Sequence, residues 1–524
     1  MGAARHALAN CGARTMLEHS LSRLMCYALK SVALNLNFVR LTFVLLVLSS
    51  FSAAAQLPST PSTNQPWAFM LLDGSSLIDD CPICDRPIIQ APMRGSFRLR
   101  LLEQNVLLTR LAVEDICFTA GSRPYVVKGS GTFEFGGEVA LRQTMFLELQ
   151  IDDGISNKVC YFRNVSSAID RPWPMLDVSL DQTNGTLLQT YHLQLAAAPA
   201  REIWFSTRTG FTFVRDQATN RVSPGDLLSS EGRVVKHNSD LSTNLGIMPV
   251  VPDLGLDAVD ILPGGEIAFS IEQTVFSELR GTLQHGDLLS NKGIILHRNQ
   301  DLLAAFQPPT AQGDAGLDAV QVLDSGEVLF SIETNVVSEK LHITVHPGDL
   351  LSSAGLIVRS NRQLLSLFHP ADPTRDYGLD AFYLWPHGEI WFSTEDGFVD
   401  QLLGTILPGD LLSDSGYRVM SNMELLTAFA PREAVADFGL DALFVITDTV
   451  PPLASPRLTN IDYHGSPRRV GLTWTGVGRV FQLQRADGIP GPFLHVSPLL
   501  PDLSFDDTAS VTNSSLGLYR LLQW

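Results

Sequence analysis

The 524-residue chain is 45% hydrophobic and 18% charged, a globular composition that excludes a disordered or collagen-like protein. At ~150 residues per domain it has room for about three domains. Its formal net charge of −18 repels nucleic acid phosphates and anionic membranes, which argues against both as partners.

Residues 1–55 differ from the rest. Arg5, Arg14, Arg23, Lys30 and Arg40 stand against one acid, Glu18, and the apolar run LTFVLLVLSSF (Leu41–Phe51) leads into SAAAQ. This order is that of a secretory signal peptide cleaved after Ala55. The apolar run is shorter than the ~20 residues of a spanning helix, so a membrane anchor is disfavoured. The long basic region allows Met25, rather than Met1, to be the start. Removing residues 1–55 leaves 32 basic and 54 acidic residues, a net of −22. The expected location is secreted or extracytoplasmic, in a periplasm or at a cell surface, with no membrane span once the signal is gone.

Cys11 and Cys26 leave with the signal, and Cys81, Cys84, Cys117 and Cys160 remain. Four cysteines in an exported chain predict two disulfides, with three connectivities open, and plain buried thiols are the alternative. The C-x-x-C of DDCPICDRP is also compatible with a metal knuckle. A second close pair is lacking, because Cys117 and Cys160 lie 43 residues apart. A redox pair is disfavoured by Asp79, Asp80 and Asp85, which raise a thiol's pKa.

Gln56–Pro66, polar and proline-rich, reads as a linker. Residues 67–200 then read as seven or eight antiparallel strands. In TMFLELQID, Leu147, Leu149 and Ile151 face one way and Glu148 and Gln150 the other, the pattern of a half-buried strand. The expectation is an antiparallel β-sandwich or barrel.

Residues 201–446 carry a repeat. GDLLS begins at Gly225, Gly286, Gly348 and Gly409, and GLDA at Gly255, Gly316, Gly378 and Gly439, both in steps of 61, 62 and 61 residues. A third element begins at Glu202, Glu266, Glu327 and Glu389 (GEIAFSIE in the second copy). Its strand is apolar on both faces, so it lies between neighbouring sheets. A further strand ends in Asn238, Asn299, Asn361 or Asn422, each followed by helical spacing that predicts a short helix capped by the Asn. Four strands per unit is the plan of a β-propeller blade, although the unit exceeds the ~40–50 residues of common blades. GLDALFVI (Gly439–Ile446) would complete the sheet begun by EIWFST and remove its open edges. The expectation is a four-unit propeller-like domain, with an open solenoid as the second option.

Residues 447–456 read as a second linker and 457–524 as a small strand-rich segment. Its order LTW…FQLQRAD…GPF…FDDT…LYRL resembles the fibronectin type III-like modules that end many exported bacterial proteins. The GLDAxxxLxxGEIxFSxE…GDLLSxxG units resemble propeller-like repeats of similar exported proteins. The resemblance implies a mainly β architecture and an address outside the cytoplasm, with a spacer or adhesion role for the last module. It implies no activity.

No nucleophile elbow, H-E-x-x-H, P-loop or G-x-G-x-x-G after a strand occurs, and the GSG at Gly129 reads as a turn. The recurring acids are Asp226, Asp287, Asp349 and Asp410 in GDLLS and Asp257, Asp318, Asp380 and Asp441 in GLDA. Glu272, Glu333 and Glu395 follow FSx, where the first unit has Arg208. Asp beside Gly accepts backbone N–H bonds in turns, which is the reading adopted for these Asp residues. Rings of carboxylates could hold Ca²⁺, but Arg208 argues against an equivalent cation at every unit. Paired carboxylates for glycoside hydrolysis need a separation that only a structure shows. Trp204, Trp385 and Trp391, with His387, are the candidates for stacking on a ligand, against a core role for strand aromatics.

The sequence therefore points to an exported, non-enzymatic binding or cell-surface protein with an extracellular glycan or protein as partner and no cofactor. A secreted carbohydrate-active or other hydrolytic propeller enzyme is the alternative. A Ca²⁺-stabilised structural protein is a third reading.

Overall fold

A computed structural model describes residues 60–508 and 517–524, except 63, 85–86, 122–124, 139–140, 166, 170, 453, 466–467 and 489–490. The expected signal peptide, both candidate start methionines and part of the first linker lie outside the described residues. The protein is mainly antiparallel β.

The first strands are β1 (Trp67–Leu71), β2 (Ser76–Asp80), β3 (Ile89–Gln104), β4 (Leu108–Ala120) and β5 (Tyr125–Gly136). They are followed by β6 (Arg142–Asp152), β7 (Asn157–Arg163), β8 (Ser167–Ala168), β9 (Leu176–Gln182) and β10 (Thr190–Ala198). Each long strand pairs with its chain neighbour from β3 to β7; β7 pairs with β9, and β9 with β10. β1 and β2 both pair with β10 on one side and β3 on the other, so together they occupy one position and close the sheet into a barrel. Alternation sends Phe69, Phe97, Phe118, Phe133, Leu147 and Phe162 inward, and Trp173 stacks over Trp67 and Phe135. Arg98, Arg100 and Glu148 stand on the outward positions. An apolar interior with a charged exterior is the inverse of a membrane-spanning barrel. No helix among the described residues is long and apolar enough to cross a membrane.

Two expectations are corrected in the barrel. The GSG at Gly129 is not a turn but lies inside β5, where a Cβ at Gly131 would sit 2.0 Å from the Phe146 carbonyl oxygen. Those glycines let two strands approach closely. Among the described residues one disulfide forms, Cys81–Cys84, while Cys117 and Cys160 are free. Cys117 is exposed on β4 and Cys160 is buried on β7, with β5 and β6 between them. Side chains on opposite faces of non-adjacent strands cannot be bridged.

β10 leads directly into Ala200–Phe205, the first strand of four four-stranded antiparallel sheets. The first sheet holds Leu443–Thr447, Ala200–Phe205, Leu227–Ser229 and Arg233–Lys236; its innermost strand comes from the far end of the repeat, with Ile203 opposite Val445. The other three begin with Val259–Leu262, Val320–Val322 and Ala381–Leu384. These four innermost strands each touch the next, and the last touches the first, so the sheets form a ring around one axis. A two-stranded hairpin follows the second strand of every sheet.

The repeated letters are explained by hydrogen bonds. Each GDLLS aspartate accepts from the backbone N–H three residues before it and from the backbone N–H of the following Asn: Asp226 from Ser223 and Asn238, Asp287 from Gln284 and Asn299, Asp349 from His346 and Asn361, and Asp410 from Leu407 and Asn422. The Asn side chain then ties down the GLDA turn. Asn299, for example, donates to the Gly316 carbonyl at 3.0 Å and accepts from the Ala315 N–H at 3.0 Å. Each Asn is the first residue of its short helix and not its cap, which is the preceding residue (His237, Arg298, Ser360 or Ser421). Glu202, Glu266, Glu327 and Glu389 accept from the serines of GDLLS. Across the junctions between sheets, Ser206, Ser270 and Ser393 donate to the carbonyls of Leu256, Leu317 and Leu440.

The last described residues form two three-stranded sheets around Leu472, Trp474, Phe481 and Leu483. Between them Arg479 reaches into the ring, donating to the Ile261 carbonyl at 2.7 Å, to both Asp260 oxygens and to the Val322 carbonyl. The segment 447–456 is no free tether at its start. Asp448 accepts from the Ala68 N–H, the Arg201 guanidinium and the Trp524 indole, joining barrel, ring and final module.

The Asn network makes one prediction. Asn299→Ala strands a buried carbonyl and a buried N–H and is expected to lower stability by about 2–3 kcal/mol in urea denaturation. Asn220→Ala, in an exposed hairpin, is expected to change it by less than about 0.5 kcal/mol. Equal effects of the two substitutions would contradict this role for Asn299.

Candidate functional site

The GLDA motif enters each innermost strand, and its glycine has φ between +74° and +79° in all four copies. That left-handed turn suits glycine, and close approach demands it. A Cβ would fall 2.4 Å from Glu272 at Gly255, 2.3 Å from Glu333 at Gly316, 2.3 Å from Glu395 at Gly378 and 2.5 Å from Arg208 at Gly439. Each sheet thus lays one side chain from just past the end of its second strand across the turn that carries its GLDA aspartate. Because the four turns surround one axis, Asp257, Asp318, Asp380 and Asp441 converge with Glu272, Glu333, Glu395 and Arg208 at one mouth of the ring. The turn role expected for these four aspartates is therefore corrected. The turn is held instead by Asp253, Asp314, Asp376 and Asp437, two residues before each glycine; Asp253, Asp314 and Asp376 accept the N–H of Gly255, Gly316 and Gly378. The recurring D-x-G-L-D-A spacing was the available signal for them.

Arg208 organises half of the mouth. Its Nη2 donates to Asp380 at 2.9 Å and to Glu395 at 2.5 Å, and its Nε stands 3.5 Å from Asp441. Burial works against its charge, but Asp380, Glu395 and Asp441 outweigh that and raise its pKa. Across the axis, a carboxylate oxygen from each of Asp257, Asp318 and Glu333 lies within 4.8 Å of the other two. No hydrogen bond to the Asp257 or Asp318 carboxylate occurs among the described residues. Burial, followed by the neighbouring carboxylates, raises the pKa of Asp257 and Asp318 well above the usual range. Burial also pushes Asp441 up to about 7, against the pull of Arg208 and with Glu272 and Glu395 adding to the rise. Asp380 is raised as well, by burial first and by Asp441 next.

The second departure from the repeat is His285, where the other units have Pro224, Pro347 and Pro408. Its Nδ1 lies 2.7 Å from Glu333 Oε1 and its Nε2 3.3 Å from Asp314 Oδ1. The imidazole bridges an acid of the mouth to an acid that holds the turn.

The aromatic candidates are overturned as ligand-stacking residues. Trp204, Trp385 and Trp391 are at most 1% exposed, packed between sheets. The Trp204 and Trp391 indoles donate to Glu202 and Glu389. His387 is buried beside Glu389. A strand with apolar side chains on both faces leaves no face for a ligand when sheets cover both sides.

No family profile matches the chain, and no curated protein matches it. Among solved structures, the extracellular domain of a hybrid two-component system from B. thetaiotaomicron aligns at 6% identity and a TM-score of 0.20, covering 88% of this chain and 96% of that one. A second such domain from the same organism aligns at 9% identity and a TM-score of 0.16, covering 83% and 76%. At these TM-scores neither likeness carries an argument.

Removing Arg208 tests the electrostatic reading of the mouth. Its side chain is 36% exposed, so the loss is discounted for solvent screening. Arg208→Ala is expected to lower stability by about 1–3 kcal/mol in urea denaturation. Asp441→Asn in the same background should recover part of that loss. An unchanged urea midpoint would contradict a counter-ion role for Arg208.

Proposed function

We propose that this chain is an exported, non-enzymatic binding or cell-surface protein. In this reading the four sheets are the blades of a β-propeller, and the final module is a fibronectin type III-like spacer. The extracytoplasmic address follows from the signal-peptide pattern of residues 1–55. The observation that carries the binding role is where the repeat is broken. Most repeated polar residues are engaged in holding turns and joining sheets. Two departures, Arg208 and His285, land on the carboxylate-lined mouth. Loops and rims held by a rigid scaffold are where binding residues concentrate. An acidic mouth favours ligands that present cationic groups, such as basic protein segments or amine-bearing glycans.

A second reading, a secreted hydrolase acting on glycans, is favoured by one observation. Asp257 and Asp318 come from neighbouring sheets and hold carboxylate oxygens within 4.8 Å of each other, and glycoside hydrolysis needs such a carboxyl pair.

Immobilised glycan and protein arrays separate the two. The binding reading predicts stable retention without product release, weakened at least about fivefold by Glu272→Lys at the exposed rim. Turnover of a polysaccharide by the wild type that is lost in Asp318→Asn would replace it with the hydrolase reading.

A further inference from the structure

We propose that the part of the mouth that Arg208 does not hydrogen-bond is a calcium site, with carboxylate oxygens of Asp257, Asp318 and Glu333 as its protein ligands. This goes beyond the binding role and stands even if no macromolecular ligand is found.

The donor set is oxygen only, which selects a hard cation. Two oxygens at ~2.4 Å from one Ca²⁺ can lie up to ~4.8 Å apart, whereas Mg²⁺ at ~2.1 Å limits them to ~4.2 Å and keeps most of its water. The three carboxylate oxygens lie within 4.8 Å of one another, a spacing that the larger and more flexible oxygen shell of Ca²⁺ accommodates. They come from the second and third sheets, so one ion would join two blades at the axis.

Two observations beyond the acid count point into this space. Asp318 is 9% exposed, with no donor on its carboxylate among the described residues. Buried carboxylates without donors are expensive, and a divalent cation answers that cost where a second arginine is missing. His285 then holds Glu333 through Nδ1 at 2.7 Å. Such an outer-shell bond to a ligating carboxylate is what orients a metal site. Glycine at position 316 gives Glu333 the room to lie over its turn.

The experiment is calorimetric titration of the chelator-stripped full chain with CaCl₂, paired with thermal melts. One Ca²⁺ per chain is expected to bind with a dissociation constant at or below about 1 mM. The melting temperature should rise with Ca²⁺, and MgCl₂ at the same concentration should give at least about tenfold weaker binding. Asp318→Asn should abolish the heat, and His285→Ala, a positioning residue, should weaken binding about tenfold. In chelator, Asp318→Asn should melt no lower than the wild type, because it removes a charge from a crowd of carboxylates; His285→Ala gives up its bonds to Glu333 and Asp314, so it is read by its own Ca²⁺-dependent melting shift. Absence of heat and of a melting shift at about 10 mM Ca²⁺ overturns the proposal. So does undiminished binding by Asp318→Asn, and equal binding of Mg²⁺ overturns the assignment to calcium.

Discussion

The structure depends on one long-range pairing, that of Leu443–Thr447 with Ala200–Phe205. The first sheet of the ring is incomplete without a strand from the far end of the repeat. Joining segments so distant along the chain carries a loop-closure cost, but that cost grows only slowly with length. In return, each of the two strands pairs an edge that would otherwise lie open, and the junction between the fourth and first sheets buries Trp385, Trp391, Phe205 and Val445. The same pairing carries Arg208 to Asp441 and Asp380. Closure of the ring and assembly of its charged mouth are one event.

Electrostatics and architecture use different letters of the repeat. The GDLLS aspartate, the helix asparagine, the GEI glutamate and three of the four FS serines have hydrogen-bond partners within the scaffold. The GLDA aspartate is the exception, because its turn is already held by the aspartate four residues earlier. It is therefore free to face the axis, and fourfold repetition concentrates like charges there. One unit answers with Arg208. At the other end of the innermost strands, Arg479 of the final module pairs with Asp260, so a guanidinium meets a buried acid there as well.

Much of this plan was legible in the sequence. The strand periods, the ~61-residue unit, the four strands per sheet and the closing GLDALFVI segment are local or periodic signals that a strand pattern carries directly. What was not legible is radial. A repeat says that Asp257 and Asp226 occupy equivalent places in successive units, but not which of them lies at the axis. That is decided by ring closure and by strand order within each sheet. The same gap explains the tryptophans: the IWF strand announced burial on both faces, yet its bulk invited a ligand-stacking reading until the neighbouring sheets were in place. His285 was visible as a single His among three prolines, and only its 2.7 Å approach to Glu333 gives that substitution a meaning. For Cys117 and Cys160, an even cysteine count suggested a bond that strand order and facing forbid.

Ring closure builds one carboxylate-lined mouth, with Arg208 as counter-ion on one part and the proposed cation position on the other. Anomalous diffraction from crystals soaked in Tb³⁺, a calcium surrogate, distinguishes the two parts. One strong peak is expected between Asp257, Asp318 and Glu333 and none beside Arg208. A mouth without a peak, or a peak centred on Asp380 and Asp441, would contradict this division.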